Sequence, residues 1–257
     1  MVMEVNIHAD ALVLAGADNN GRLRDYDPAK HEALIDINGR PMVRYVVEAL
    51  KKARGIRNIG VVGPKEALER ALSDLGVQVV ERGGSILENL RKGIEALEPR
   101  GNVLIVTSDV PLITGEAIDD FLRRCMDRPA EVWYSIVRKE ANEAKFPRMR
   151  RTYQRLMDGT FTGGNISLLN PKAIDAYESL MEKAIAMRKR PWLLCSVLGL
   201  KCIVKFLLGR LTVRDVEERF RRLAGIRGVG IESPYPEIAL DVDKPSDLEL
   251  VRSLFAG

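Results

Sequence analysis

Between residues 11 and 108 the chain alternates two kinds of segment. Short apolar runs, ALVLA (11 to 15), IGVVG (59 to 63), VQVVE (77 to 81) and NVLIVTS (102 to 108), are separated by VRYVVEALKKA, KEALERALSDL and ILENLRKGIEAL. The longer segments repeat their apolar residues at helical spacing. A strand that is apolar at successive positions has to bury both faces, and a parallel sheet buries both faces only when helices cover each side. The alternation therefore predicts βαβ units in a mostly parallel sheet, a three-layer α/β/α architecture. Such sheets bind ligands beyond the carboxyl ends of their strands. The loops at 16 to 32, 82 to 89 and 108 to 114 are the places where chemistry is expected.

After residue 115 the pattern changes. A helix, GEAIDDFLRRCM, leads to an apolar strand, EVWYSIV, and then to a basic stretch, RKEANEAKFPRMRRTYQRLMDG, that reads as irregular. FTGGNISLLNP reads as a turn followed by a strand. PKAIDAYESLMEKAIAMRKR opens a helical section reaching about residue 224, so the expectation is one domain over 1–257 with a helical insertion at about 176–224. The closing piece, IESPYPEIALDVDKPSDLELVRSLF, reads as a strand, a turn and a final helix with Ser246 as N-cap.

Composition excludes more than it selects. With 257 residues, 46% hydrophobic and 30% charged, the chain has material for a core. A net charge of +4 is too small to imply nucleic acid as a partner, while leaving room for local anion sites. Cys125, Cys195 and Cys202 have no zinc or disulfide spacing, which fits a reducing compartment. The opening MVMEVNIHAD has no basic stretch followed by an apolar core, so a cytoplasmic protein is expected. The most apolar segment, 192 to 209, is interrupted by Lys201 and Lys205 and is too short to span a bilayer. No stable membrane insertion is expected; core, an acceptor pocket or a homodimer surface are its open uses.

The post-strand loops carry the candidate chemistry. In LAGADNNGRLRD, Gly16 and Gly21 permit tight turns whose amides can face an anion, and Arg22 and Arg24 can contact phosphate oxygens. Neither a Walker loop nor a dinucleotide fingerprint is present. In SDVPL, Asp109 follows a central strand, where a carboxylate suits Mg²⁺. Its plain structural alternative is a turn acid near the helix start at Thr114. ALDVDKPSDL supplies Asp241 and Asp243 at strand spacing, which would place both carboxylates on one face, with Asp247 in the first turn of the closing helix. In TGGNISLLNP, Gly164 allows close backbone approach and Asn165 offers a donor and an acceptor; a hairpin turn is the alternative. Gly83, Gly84, Ser85 and Asn89 lie at a helix start, where Ser85 is either a ligand contact or a cap.

In this order, the motifs LVLAGA, ALIDINGRPMVRYVVEAL, SDVPL, GGN and DVDKPSDL resemble the MobA-like NTP transferases of the GT-A-like fold, over residues 11 to 250. The resemblance implies transfer of NMP from an NTP to a small, phosphorylated or otherwise nucleophilic acceptor, with release of pyrophosphate. Catalysis of that kind is in-line positioning and charge neutralisation, without a protein nucleophile. It also implies roles. Leu14, Ala15, Gly16, Ala17 and Gly21, with Gly84, Ser85 and Asn89, would hold the nucleotide; Arg22, Arg24, Lys30 and Asp109 would serve catalysis. Asp109 and Asp243 would hold Mg²⁺, while Arg151, Gly164 and Asn165 would face the acceptor.

Two positions depart from that pattern. Relatives commonly carry a lysine before the segment matching ALIDINGRP, where this chain has Glu32, and a second glycine where it has Ala17. A carboxylate repels phosphate, so charge compensation would fall to Lys30, Arg22 and Arg24. The alternatives are a nucleotide-binding regulatory protein on the same fold and a nucleotide-sugar glycosyltransferase; against the latter, no DxD occurs in the middle of the chain.

Overall fold

The computed structural model describes residues 8–147, 149–176 and 199–256. Its centre is one sheet whose strands run in the order β5-β4-β1-β6-β9-β7-β10. These are β1 (Ala9–Leu14), β4 (Ile56–Gly63), β5 (Gln78–Glu81), β6 (Val103–Thr107), β7 (Val132–Arg138), β9 (Gly159–Leu169) and β10 (Gly228–Ser233), with β8 (Gln154–Leu156) paired to β9. A small hairpin, β2 (Asp36–Ile37) and β3 (Arg40–Pro41), stands apart. Strands β5, β4, β1 and β6 are parallel; β9 runs antiparallel to both β6 and β7, and β10 is parallel to β7.

The four apolar runs of the first half all became strands, because alternate residues on each feed different cores. On β1, Ala11 and Val13 join a cluster with Val43, Val46, Val47 and Leu50 of α1 (Met42–Lys52) and Ile118, Phe121 and Leu122 of α4 (Gly115–Met126). Leu12, between them, joins the opposite cluster with Leu87, Leu90 and Leu97 of α3 (Ile86–Leu97). The third layer comes very close. A Cβ on Gly93 of α3 would come within 2.4 Å of Leu12 Cδ1, so this helix lies on the sheet only because position 93 has no side chain. The short α2 (Lys65–Leu72) adds Leu68 and Leu72 to the first cluster.

The second half departs from the sequence reading in four places. FTGGN is not a turn but part of one continuous strand, β9, paired to β7 through Phe161, Thr162 and Gly163. The basic stretch after β7 is not wholly irregular: KEANEAK forms α5 (Lys139–Lys145), consistent with its strong helix formers. Segment 240 to 244 is not a strand; a 3-10 turn at Pro236–Ala239 leads into backbone without regular secondary structure, so Asp241 and Asp243 do not owe their placement to strand periodicity. The final helix begins two residues earlier than expected, with Lys244 at the N-cap and Pro245 in the first turn, so Ser246 is not the cap.

Part of the helical section is described: α6 (Pro171–Ala176), α7 (Leu200–Leu207), α8 (Val213–Ala224) and, closing the chain, α9 (Pro245–Phe255). Residues 177 to 198, and with them Cys195 and the first seven residues of the apolar run from 192, lie outside the described residues. No helix among those described is long and apolar enough to cross a membrane.

Candidate functional site

The site forms where the central strands end. Backbone bonds continue the ladder past the strand ends: Ala15 N donates to Val62 O at 2.8 Å, Arg82 N to Gly63 O at 3.0 Å, and Ser108 N to Leu14 O at 3.1 Å. The loops after β1, β5 and β6 are thereby held side by side. Two groups of side chains stand on this edge.

The first group is acidic. Asp109, Asp241 and Asp243 each offer a carboxylate oxygen, and these oxygens lie within 4.8 Å of one another. Asp109 follows β6 and accepts from Thr107 Oγ1, while its carbonyl accepts from Val242 N at 2.9 Å, which ties the two acidic segments together. Asp241 is buried and paired with the Arg151 guanidinium. Asn165 is also buried; its Nδ2 lies 3.4 Å from Asp241 Oδ1 and 3.5 Å from the carbonyl of Ile238. Asp109, Asp243, Arg151 and Asn165, singled out from sequence, thus meet in one place, and Asp241 joins them.

The electrostatics follow from the crowding. Asp243 is an exposed residue, yet its carboxyl, set against the neighbouring acids, is pushed up to about 7, first by partial loss of solvent around that group and then by the negative charge of Asp241 and Asp109. Asp241 moves the other way: burial pushes it up, but the Arg151 guanidinium and the hydrogen bonds from Asp243 and Arg151 outweigh it and hold it below the usual carboxylate value. Three carboxylates against one guanidinium leave surplus negative charge, and an all-oxygen donor set suits a hard divalent cation. The residues present therefore fit a metal ion.

Gly164 contributes through space. A Cβ there would sit 2.1 Å from Ser135 Oγ and 2.8 Å from Ile238 Cγ2, so a glycine lets the 236–239 turn lie on β9 and deliver Asp241 beside Asn165.

The second group surrounds the first loop. Arg82, just after β5, donates from Nη1 to the Gly16 carbonyl at 2.6 Å and to Asp18 Oδ1 at 2.9 Å. Its bond holds the Asp18 carboxyl below its ordinary value. Asn89 lies against Gly16, since a Cβ on Gly16 would approach Asn89 Nδ2 to 3.1 Å, and Asn89 Oδ1 accepts from Gly83 N at 2.6 Å. Leu14, Ala15, Gly16, Gly84, Ser85 and Asn89 are therefore neighbours. Ser85 Oγ accepts from Glu88 N at 3.1 Å as the N-cap of α3, and Glu88 reaches back to Gly84 N at 2.6 Å. Ser85 is a helix cap, whichever ligand lies above it.

The remaining loop residues are arranged differently from the simplest reading. Arg24 Nη1 contacts the carbonyls of Pro28 and Ala29, both at 3.3 Å, folding back on its own loop. Gly21, Arg22 and Lys30 are exposed on the outer part of the loop, and the Lys30 carbonyl accepts from Asn19 N at 2.9 Å. Glu32 opens a 3-10 turn, Glu32–Leu34, and its amide donates to the exposed Ala17 at 3.1 Å. Arg82 was missed in the sequence reading. Its signal was available, a cation one residue beyond an apolar run in a parallel sheet, but no local spacing linked it to Gly16.

A groove of about 1000 Å³ lies elsewhere, between α1, α4 and Phe255, with residues of the 111–114 loop in its lining. It contains none of the three acidic residues. Size alone does not mark the chemistry in this molecule.

Comparison with known proteins bears on the family and the fold. Residues 11–190 match the model of the MobA-like NTP transferase domain. A solved structure described as a hypothetical transferase, from Thermus thermophilus, is 39% identical, covers 94% of this chain and 99% of that one, and superposes with a TM-score of 0.80. Among curated proteins, a 3-deoxy-manno-octulosonate cytidylyltransferase of Anaeromyxobacter sp. (strain K) is 30% identical over 89 residues, 34% of this chain and 37% of the relative. A probable molybdenum cofactor guanylyltransferase of Thermococcus kodakarensis is 34% identical over 112 residues, 44% and 51% of the two chains. The chain thus spans between about a third and a half of the length of these curated relatives.

Proposed function

Because the chain belongs to the MobA-like NTP transferase family, we propose that it is a nucleotidyltransferase that moves NMP from an NTP to a small anionic acceptor and releases pyrophosphate, with Mg²⁺ as its metal. The observation that carries the reading is the convergence of Asp109, Asp241 and Asp243 on the strand edge that also presents Gly16, Arg82 and Asn89. One half of the edge can hold a cation, and the other has the backbone and guanidinium donors that anions select.

In this reading the loop from Leu14 to Gly21, with Gly84 and Asn89, binds the nucleotide, while Ser85 caps α3 beside it. Arg82 is held by Gly16 and Asp18 at the loop's entrance, already oriented for a phosphate or base edge. Asp109 and Asp243, with Asp241, hold the metal, which supplies charge neutralisation for the phosphates when bound. Arg151 and Asn165 orient Asp241 from the side of β9 and stand nearest the space left for the acceptor. Since the reaction is an in-line displacement at phosphorus, alignment of the two substrates does most of the work. Lys30, Arg22 and Arg24 lie farther out on the same loop and supply positive potential, offsetting Glu32.

The test is a thermal-shift series with ATP, CTP, GTP and UTP, each with and without Mg²⁺, on the protein and on Asp109→Asn. One NTP at about a hundred times its dissociation constant should add ~2.7 kcal/mol of stability, and the gain should require both Mg²⁺ and Asp109. Stabilisation by nucleotide sugars but by no NTP would favour glycosyl transfer instead. No response to any nucleotide would remove the assignment.

A further inference from the structure

A third apolar cluster, separate from the two that flank the sheet, lies beneath the site. It contains Leu23 from the first loop, Ile35, Ile37 and Met42, Val242 from between the two C-terminal acids, and Leu248 and Val251 from α9; Ala29 and Leu112 pack against it. Three segments that reach the site, the first loop, the turn after Asp109 and the 241–243 stretch, are thus seated on the same few side chains of the last helix.

The polar contacts above this cluster converge on one buried carboxylate. Asp27 Oδ1 accepts from Ala29 N at 2.9 Å and Asp27 Oδ2 from Asp36 N at 3.1 Å, while the carbonyls of Asp27 and Ala29 accept from Asn19 Nδ2 at 3.1 and 3.0 Å. Asp27 therefore pins both ends of the 19–36 segment. The cation that meets Asp27 comes from α9. Arg252 Nη2 lies 3.4 Å from Asp27 Oδ2 and donates to the Asp36 carbonyl at 2.6 Å, its Nε reaches the same carbonyl at 3.1 Å, and the carbonyl of Arg252 accepts from Asn38 Nδ2 at 2.9 Å. Its side chain is about a third exposed.

We infer that Arg252 is a positioning residue for the nucleotide, holding the 16–31 loop against the C-terminal helix through Asp27 while taking no part in metal binding. The inference rests on the nucleotidyltransferase reading. A guanidinium suits the task because one planar group bonds a carbonyl and a carboxylate together, which an ammonium does less well. The loop is long for a strand connection and carries few buried residues of its own, so without the clamp its glycine-containing part gains conformations that do not bind.

Arg252→Ala and Arg252→Lys test this in the full-length protein with two readouts. The first is affinity for ATP, CTP, GTP and UTP with Mg²⁺. Arg252→Ala should weaken the NTP that the unaltered protein binds by about tenfold, with Arg252→Lys intermediate, while Mn²⁺ titrated without nucleotide binds all three proteins alike. The second is amide hydrogen exchange without ligand: the amides of Asn19, Ala29 and Asp36 should exchange faster in Arg252→Ala, while those of β1 and β6 keep their protection. Unchanged NTP affinity in Arg252→Ala, or exchange that rises uniformly over the chain, overturns the positioning role. An unaltered protein that takes up no NTP overturns the functional reading itself, a result distinct from either of these.

Discussion

The two halves of the site are built in opposite ways. The nucleotide side is dominated by one contiguous loop, residues 14 to 31, closed by its own backbone: Asn19 to Lys30, Glu32 to Ala17, and Asn19 to the carbonyls of Asp27 and Ala29. The metal side has no such local frame. Asp109, Arg151, Asn165, Asp241 and Asp243 come from four separate segments and meet only because β9 is inserted antiparallel beside β6 and the 236–239 turn folds over it. A local loop tolerates change by shifting its own residues, whereas an assembled cluster depends on every segment arriving in register. The metal side should therefore be the more sensitive to single substitutions.

The strongest challenge to that contrast is Asp109→Ala. It should lower turnover on the order of a hundredfold or more, as expected when charge stabilisation at a reacting centre is lost, while circular dichroism and melting stay near those of the unaltered protein. A loss of under threefold would mean that the acidic cluster is not the reaction centre.

On the nucleotide side, Arg82→Ala should weaken NTP affinity by about tenfold or somewhat more, the range for a charged hydrogen bond, without altering Mn²⁺ binding. If instead Mn²⁺ binding falls, the two halves are not separable as described.

The pH response sharpens the comparison further. Because Asp243 is raised in the folded protein to about 7, its contribution to stability is full below the unfolded carboxylate value and is lost as pH rises through about 7. In EDTA the melting temperature should fall over that interval, with an effect on the order of 1 kcal/mol once solvent screening at this exposed position is allowed for. Added Mg²⁺ should restore more stability at pH 8 than at pH 5.5, and Asp243→Asn should flatten the ion-free slope. A slope unchanged by that substitution would assign the effect to another group.

Two substitutions separate framework from chemistry. Gly164→Ala drives a methyl into Ser135 and should destabilise by about 1 to 3 kcal/mol, with metal affinity falling more than NTP affinity. Ser85→Ala removes the cap of α3 and should cost ~1 kcal/mol while NTP affinity stays within twofold. A larger loss of affinity would make Ser85 a ligand contact as well as a cap.

Much of the fold was legible because it rests on local pattern. Apolar runs such as ALVLA and NVLIVTS could be buried on both faces only as inner strands, and Leu12 and Val13 do point into opposite cores. KEANEAK does not read as a helix because its basic surroundings mask six good helix formers, and the 240–244 stretch reads as a strand because alternating acidic residues imitate a half-buried one. At the site, Asp109 was visible as an acid ending a central strand. Arg82 was not, since its partners Gly16 and Asp18 are distant in sequence and joined only by the pairing of β4 with β1 and β5.

By itself, then, the sequence determined the alternating strands and helices of the first half, that both sheet faces are covered, and that polar loops follow the strands, because these depend on periodicity and burial along a few residues. The tertiary structure decided which acids share one ion-sized space, that Arg151 answers Asp241, and that Arg252 reaches back to Asp27. Those pairings depend on strand order and on turns between distant segments, and no local propensity encodes the distance between two carboxylates that meet only after the sheet has closed around them.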